Sequence, residues 1–368
     1  MSKVKVLTIF ATTQMKMMGG CEIYRIAMPY AYMRKNGYVA DYQWGGNLSE
    51  VLARPDGEFE FFKTIAGYDI IVVPRLLKKN QAELESIKAF FDLIRQLGKK
   101  VVYEVDDDFT GLHRREFEGD CISVAKLTDA ITVSTPYLGE LMARETGRPV
   151  YVLPNCVDPY YWRQGKAPER LKFKDSIVIG LNGSISHDKD WRVLENVLPP
   201  LLSDKVKVSL MGFHPRYLQG IEHVQYLPWA DYTIYSQVIR GCDIILAPVL
   251  PDDGFNLSKS PIKAVEGQAA RRIVQNTPVG AAVIATDNLV YRTAIEHGKT
   301  GLLVEHTEQA WREALQDVID KPSLRFALQK RGHKAVWETN DISKRWRDWV
   351  SVYAQIAAQE DYPSIPSV

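Results

Sequence analysis

The sequence predicts an α/β protein of two doubly wound, parallel-sheet domains. Three observations carry that reading. Short β-branched runs alternate with longer amphipathic segments along most of the 368 residues, the pattern of parallel strands joined by right-handed crossovers. Runs such as VKVLTIF and DIIVVP are apolar throughout, which suits strands covered on both faces. The second half repeats the grammar of the first, most literally in YDIIVVP at Tyr68–Pro74 and CDIILAP at Cys242–Pro248. At about 150 residues per domain, the length fits two such units.

The elements follow in order. Strands are expected at Lys3–Phe10, Tyr38–Trp44, Asp69–Pro74, Lys100–Val105, Ala130–Val133 and Val150–Leu153, because each is a compact β-branched or apolar run. Helical periodicity places helices at Glu22–Lys35, Gln81–Leu97 and Pro136–Thr146 between them. The stretch Pro154–Asp175 holds three prolines and loses periodicity, so it is the expected linker. Beyond it, strands are expected at Ser176–Leu181, Val206–Met211, Val224–Tyr226, Asp243–Pro248, Ala281–Ala285 and Gly301–Val304. From Pro322 onward the pattern gives two helices, the second within RWRDWVSVYAQIAAQ, and a frayed end at DYPSIPSV.

Composition narrows the function. Hydrophobic residues are 46% and charged residues 25%, enough apolar material for two cores. Lys+Arg is 46 against Asp+Glu 45, a net charge of +1. That excludes attachment to nucleic acid or membrane by bulk charge, while a local basic groove stays open. The four cysteines form no CxxC pair, which excludes a zinc finger and fits a reducing, cytoplasmic setting. No apolar run approaches the roughly 18 residues that span a bilayer, and the N-terminal run is too short for a signal sequence.

In doubly wound sheets, ligands bind beyond the carboxyl ends of the strands. Four such places carry candidate residues. Gly19 and Gly20 precede a helix and let backbone N–H groups approach an anion; a flexible turn is the plain alternative. Asp106, Asp107 and Asp108 follow the fourth strand and are expected to be a solvated loop unless they face hydroxyls or a cation. Asn182, Gly183, Ser184 and Ser186 read as a polar turn followed by His187 and Lys189 before a helix near Asp190. This is a second anion geometry, against ordinary capping by Asp188 or Asp190. Finally, Lys259, Lys263 and Glu266 share one side of a helix that begins near Pro261. Two cations and a carboxylate suit phosphates and ribose hydroxyls, and an i,i+3 surface pair is an equal alternative.

Together these segments resemble the GT-B glycosyltransferases, especially retaining, nucleotide-sugar-dependent enzymes of the group 1 type. MGGCEIYRIAMPYAYMRKNGY is similar to the family's first loop and helix. PNCVDPYYW is similar to the segment entering the second domain, and GSISHDKDW to the loop opening it. KSPIKAVEGQAARRIVQNTPVGAAVIATD and HGKTGLLV are similar to the donor helix and the turn that follows. The order and spacing of these loose motifs carry the likeness, over roughly Val4 to Val350.

The resemblance implies an acceptor-side domain at 1–160 and a donor domain at 170–340, with a cleft between them. It also implies a helix at about 341–358 returning to the first domain. It implies Glu266 as the ribose contact and Lys189 and Lys263 as phosphate contacts. Asn182, Gly183, Ser184, Ser186, His187, Ser258, Lys259, Ser260, Pro261 and Ile262 then line the donor, and Gly19 and Gly20 approach its diphosphate. Asp107 or Asp108 faces sugar or acceptor, with Asp108 and His113 as weak acceptor contacts. One departure is plain: where many relatives carry a first glutamate, this chain has Ser258, so stereochemistry and sugar identity stay open. The expected chemistry is sugar transfer from a UDP- or GDP-sugar with no cofactor and no metal, the cations standing in for Mg²⁺.

A glycan is the default acceptor. A hydroxymethylated DNA base is the second, with Lys78-Lys79, Arg114-Arg115, Arg271-Arg272 and Lys344-Arg345 as a phosphate rim and Trp346 for stacking. A nucleotide-sugar epimerase and an inactive sugar-nucleotide binder are the other classes.

Overall fold

The structure, a computed structural model, describes residues 3–10, 19–44, 63–78, 80–108, 120–163, 175–251 and 254–359. It divides into two compact units. One comprises Met1–Asn155 with Ser258–Ser260 and Ile342–Val368; the other comprises Cys156–Leu257 and Pro261–Asp341.

The N-terminal unit is built on six strands: β1 (Val6–Phe10), β2 (Ala40–Trp44), β3 (Ile70–Pro74), β4 (Lys100–Val105), β5 (Ala130–Val133) and β6 (Val150–Val152). They lie in the order β2-β1-β3-β4-β5-β6, every pair parallel. A helix begins at Gly20, passes through a π-helical stretch at Ile23–Ala27 and continues as α1 (Met28–Lys35). Helix α2 (Gln81–Gln96) is started by Asn80, whose side chain accepts the N–H of Glu83. Helix α3 (Pro136–Thr146) is started by Thr135 and closed by Gly147 at φ +68, the left-handed ending that glycine tolerates best. Phe90, Phe91 and Ile94 of α2 and Leu138 and Met142 of α3 join Val101, Tyr103 and Ile131 in one core. The last helix, Ile342–Ala357, packs on α1. Its Trp349 Nε1 donates to the carbonyl of Arg25, and its Tyr353 hydroxyl lies 3.2 Å from that of Tyr30.

The C-terminal unit repeats the plan with β7 (Ile177–Gly183), β8 (Val206–Gly212), β9 (Val224–Leu227), β10 (Ile244–Ala247), β11 (Arg272–Val274), β12 (Thr277–Val279), β13 (Ala282–Thr286) and β14 (Leu302–Val304). Six of these form a parallel sheet in the order β14-β13-β10-β7-β8-β9. Around it lie α4 (Tyr232–Arg240), α5 (Ile262–Ala269), α6 (Glu308–Asp320) and α7 (Pro322–Thr339). Helix α5 sits close on the sheet because Gly267 faces it: a Cβ there would stand 3.0 Å from Val283 and 3.1 Å from Ile245. That approach fixes the height of Lys263, one turn earlier on the same helix, and of the adjacent Glu266.

Strands β11 and β12 form an antiparallel hairpin that the strand pattern did not predict. Its two-residue turn puts Gln275 at φ +48 and Asn276 at φ +59, a double left-handed turn in which asparagine is at home. Strand β7 also runs on past Leu181. Asn182 and Gly183 end it, paired with Met211 and Gly212, and are not the free turn the sequence suggested.

Candidate functional site

In the C-terminal unit, most of the predicted donor residues converge beyond the end of β7. Lys263 Nζ donates to the carbonyl of Asn182 at 2.8 Å. The Asn182 side-chain amide donates to the hydroxyl of Tyr235, which in turn donates to Glu266 Oε2 at 2.6 Å. Burial, and next the negative charge of Glu266, push the Tyr235 hydroxyl well above its ordinary pKa. It therefore stays protonated and holds the carboxylate in a fixed direction. Glu266 itself is buried. The result is a continuous chain from the ammonium of Lys263 to the carboxylate of Glu266.

A second cluster meets the first at Gly183. A Cβ built on Gly183 would lie 2.7 Å from His187 Cδ2, 2.9 Å from Trp191 Cζ2 and 3.3 Å from Lys263 Nζ. Glycine is required there by the close approach of these three side chains. The loop that delivers His187 is tight: a 3₁₀ turn at Ile185–His187, then one short helix at Asp188–Trp191. Neither aspartate caps that helix, contrary to the capping alternative. Four residues also carry little helix dipole, so this helix is a weak version of the anion-binding terminus expected. Asp190 is instead buried, taking the N–H of Leu250 and the amide of Asn256. Ser184 and Ser186 bond each other at 2.7 Å, and Lys189 is exposed.

Three donor candidates fall elsewhere. Ser258–Ser260 group with the N-terminal unit. Ser258 is fully buried; its hydroxyl accepts the N–H of Asp108 at 3.0 Å and its carbonyl accepts from Thr135. Ser260 accepts from the side chain of Asn155. Lys259 precedes α5, which starts at Ile262 after Pro261, so Lys259 and Lys263 do not share a helix face.

In the N-terminal unit the strand ends are filled by ion pairs. Asp106 and Asp108 are buried and Asp107 is half-buried, a correction to the solvated loop expected. Arg75, at φ +48 just past β3, pairs with Asp106. Burial raises the pKa of Asp106, but the charge of Arg75 outweighs it and holds the carboxyl below its ordinary value. Arg25, wholly buried, pairs with Glu104 at 2.7 Å and donates to the Leu153 carbonyl. Cys21, Asp106 and Asp107 are the group of three metal-type ligands that approach one another among the described residues. Arg75 already neutralises Asp106 there, and burial first, then Asp106, push the Cys21 thiol well up, so a cation is poorly served. Gly19 begins the helix as expected, yet a Cβ on it would meet Glu22 Oε2 at 2.7 Å. An acidic group thus lies where an anion was expected.

The basic rim is mostly engaged. Lys78 pairs with Asp120, Arg272 with Asp243 and Arg345 with Asp348. Trp346 is buried edge-on against Tyr38 and offers no face for a base. Lys79, His113, Arg114 and Arg115 lie outside the described residues.

Sequence reasoning missed Tyr235, the role of Asp190, and Trp229. No motif marks the first two, which the fold alone brings in. Trp229 is 54% exposed and its ring lies 6.1 Å from that of Tyr235; an exposed tryptophan in the LPWAD loop was the available signal.

Residues 176–321 match the family described as glycosyl transferases group 1. A D-inositol 3-phosphate glycosyltransferase of Jonesia denitrificans is 31% identical to this chain over 122 residues, 32% of its length. The match spans a quarter of that relative's length, 25%. Among solved structures, HepE of Anabaena in complex with UDP and glucose aligns with a TM-score of 0.68 at 14% identity, covering 95% of this chain and 100% of that one. The sucrose-phosphate synthase of Thermosynechococcus elongatus aligns at 0.68 and 15% identity, covering 96% and 99%. A UDP-GlcNAc 2-epimerase of Neisseria meningitidis bound to UDP-GlcNAc aligns at 0.54 and 12%, covering 96% and 100%. The fold is that of GT-B glycosyltransferases, two Rossmann-like units. No described helix is long and apolar enough to cross a membrane.

Proposed function

We propose that the protein transfers a sugar from a nucleoside-diphosphate sugar, UDP-linked in the first instance, to a hydroxyl acceptor. The observation that carries this is the chain Lys263–Asn182–Tyr235–Glu266 beside the Gly183 cradle. Glu266 accepts from the ribose hydroxyls, and Trp229 offers its exposed face to the base. Lys263, aided by Lys189, meets the diphosphate.

In the reaction, the bond from the anomeric carbon to the phosphate oxygen breaks and its electron pair leaves with the diphosphate. The acceptor oxygen bonds to that carbon, and the acceptor proton passes to the departing phosphate. We propose retention, with the acceptor oxygen approaching on the face from which the phosphate departs, since only there can the departing phosphate take the acceptor proton directly. The developing charge is met by fixed ammonium and amide groups, which accounts for catalysis without a metal. Asp107 and Asp108 are the carboxylates proposed to meet the acceptor.

The structural likeness to UDP-GlcNAc 2-epimerases supports a second reading, sugar isomerisation on the same nucleotide site. Release of UDP from a panel of UDP-sugars, with and without hydroxyl acceptors, separates the two. Release that requires an acceptor, with a glycosylated product by mass spectrometry, is expected. Isomerised sugar without any acceptor would establish the epimerase.

A further inference from the structure

His187 and Asp190 form a buried pair that the transfer scheme leaves unused. Asp190 Oδ2 lies 2.9 Å from His187 Nδ1. Its other oxygen accepts the Leu250 N–H at 3.0 Å and the Asn256 amide at 2.9 Å. Two donors from a distant part of the chain therefore fix the carboxylate, and the carboxylate fixes the imidazole. Trp191 lies almost parallel to the ring, at 11°, and limits its rotation. The Cδ2 edge of the imidazole, away from Asp190, packs against Gly183, which Lys263 Nζ also approaches.

Charge counting gives this geometry a purpose. With a neutral His187, the negative charge of Asp190 offsets the positive charge of Lys263, and Lys189 and Glu266 contribute one further charge of each sign. With a protonated His187 the groups sum to one positive charge. A carboxylate in hydrogen-bond contact favours the imidazolium, while Lys263 opposes it. Other groups face the pair too. Tyr291, between β13 and β14, and His306, just past β14, both feel the charge of Asp190. Glu266 lies beyond Asn182 and Tyr235 on α5, and Asp188 is turned to Arg192.

We infer that Asp190 is a positioning residue that keeps His187 charged and aimed, so that His187 and Lys263 form a two-cation cradle for the nucleotide's diphosphate at Gly183. The inference rests on the nucleotide reading above.

The test is calorimetric titration of the intact protein with UDP from pH 6.5 to 9, where the terminal phosphate (second pKa about 6) is mostly ionised throughout. Wild-type affinity should weaken about tenfold with rising pH as one charge-assisted hydrogen bond is lost. His187→Gln should bind weakly with no such slope, and His187→Lys should bind well with none. Asp190→Asn should move the transition to lower pH. A wild-type slope surviving in His187→Gln, or an unmoved transition in Asp190→Asn, overturns the inference. Should Asp190→Asn fail to fold, the two His187 variants decide. If UDP binds, and Glu266→Ala weakens it, while the slope ignores His187, this inference alone fails; if wild type binds no UDP at any pH, the nucleotide reading fails as well.

Discussion

The two sheets share one architecture and finish their strands in opposite ways. Beyond β1, β3 and β4, charged side chains neutralise each other: Arg25 with Glu104, Arg75 with Asp106. The cavity left among them is about 10 Å³, roughly the space of one water molecule. Beyond β7 and β8, glycines end the strands, and His187, Trp191 and Lys263 pack closely against Gly183. The same plan thus serves two purposes. Paired charge at the strand ends stabilises one unit; in the other, under the proposed function, glycine and Lys263 serve an anion.

Breaking the first arrangement should have the largest effect. Arg25→Met leaves Glu104 buried without its partner, which costs about 3–5 kcal/mol in comparable sites. Urea unfolding should show that loss, and a change below about 1 kcal/mol would mean the pair is not structural. Breaking the second should spare stability and remove function. Lys263→Ala should lower kcat/KM on the order of 100-fold, the loss seen when one transition-state donor is removed, with the urea midpoint nearly unchanged. Equal losses in both assays would erase the contrast.

Acid sharpens the comparison by a smaller amount. His333 in α7 donates from its ring to the Gln268 carbonyl at the end of α5. Burial holds it down at about 4, neutral in the folded state. Its unfolded counterpart takes up a proton near pH 6.5. The stability it contributes is therefore complete above pH 6.5 and is lost as the pH falls toward 4. At pH 5 the loss is about 2 kcal/mol. In the N-terminal unit, Asp106 is held below its ordinary value and keeps its contribution to lower pH. Thermal melts at pH 7 and pH 5 should differ in wild type and differ less in His333→Gln. A wild-type melt indifferent to this range would contradict the burial of a neutral imidazole.

What was legible in the sequence was what neighbouring residues decide. Strands β4 and β5 and helix α3 fall where their patterns placed them, because an apolar run or a Thr-Pro start is a local instruction. Gly183, Lys263 and Glu266 were legible through the resemblance and are brought together. Tyr235 and Asp190 were not, because each gains its role from a partner on another element. Ser258 looked like a donor residue by alignment, yet its hydroxyl is committed to the Asp108 amide. Three consecutive aspartates were open to solvent, hydroxyls or a cation, and the cation beside Asp106 is Arg75, which no spacing links to it.

The most direct test of the central claim is the dissociation constant of UDP for wild type and Glu266→Ala, measured on the intact protein. Wild type should bind, and the variant should bind on the order of 10- to 100-fold more weakly, the loss of hydrogen bonds to a charged acceptor. Equal affinity in the two proteins, or no binding by wild type, would contradict the assignment of this carboxylate to a nucleotide.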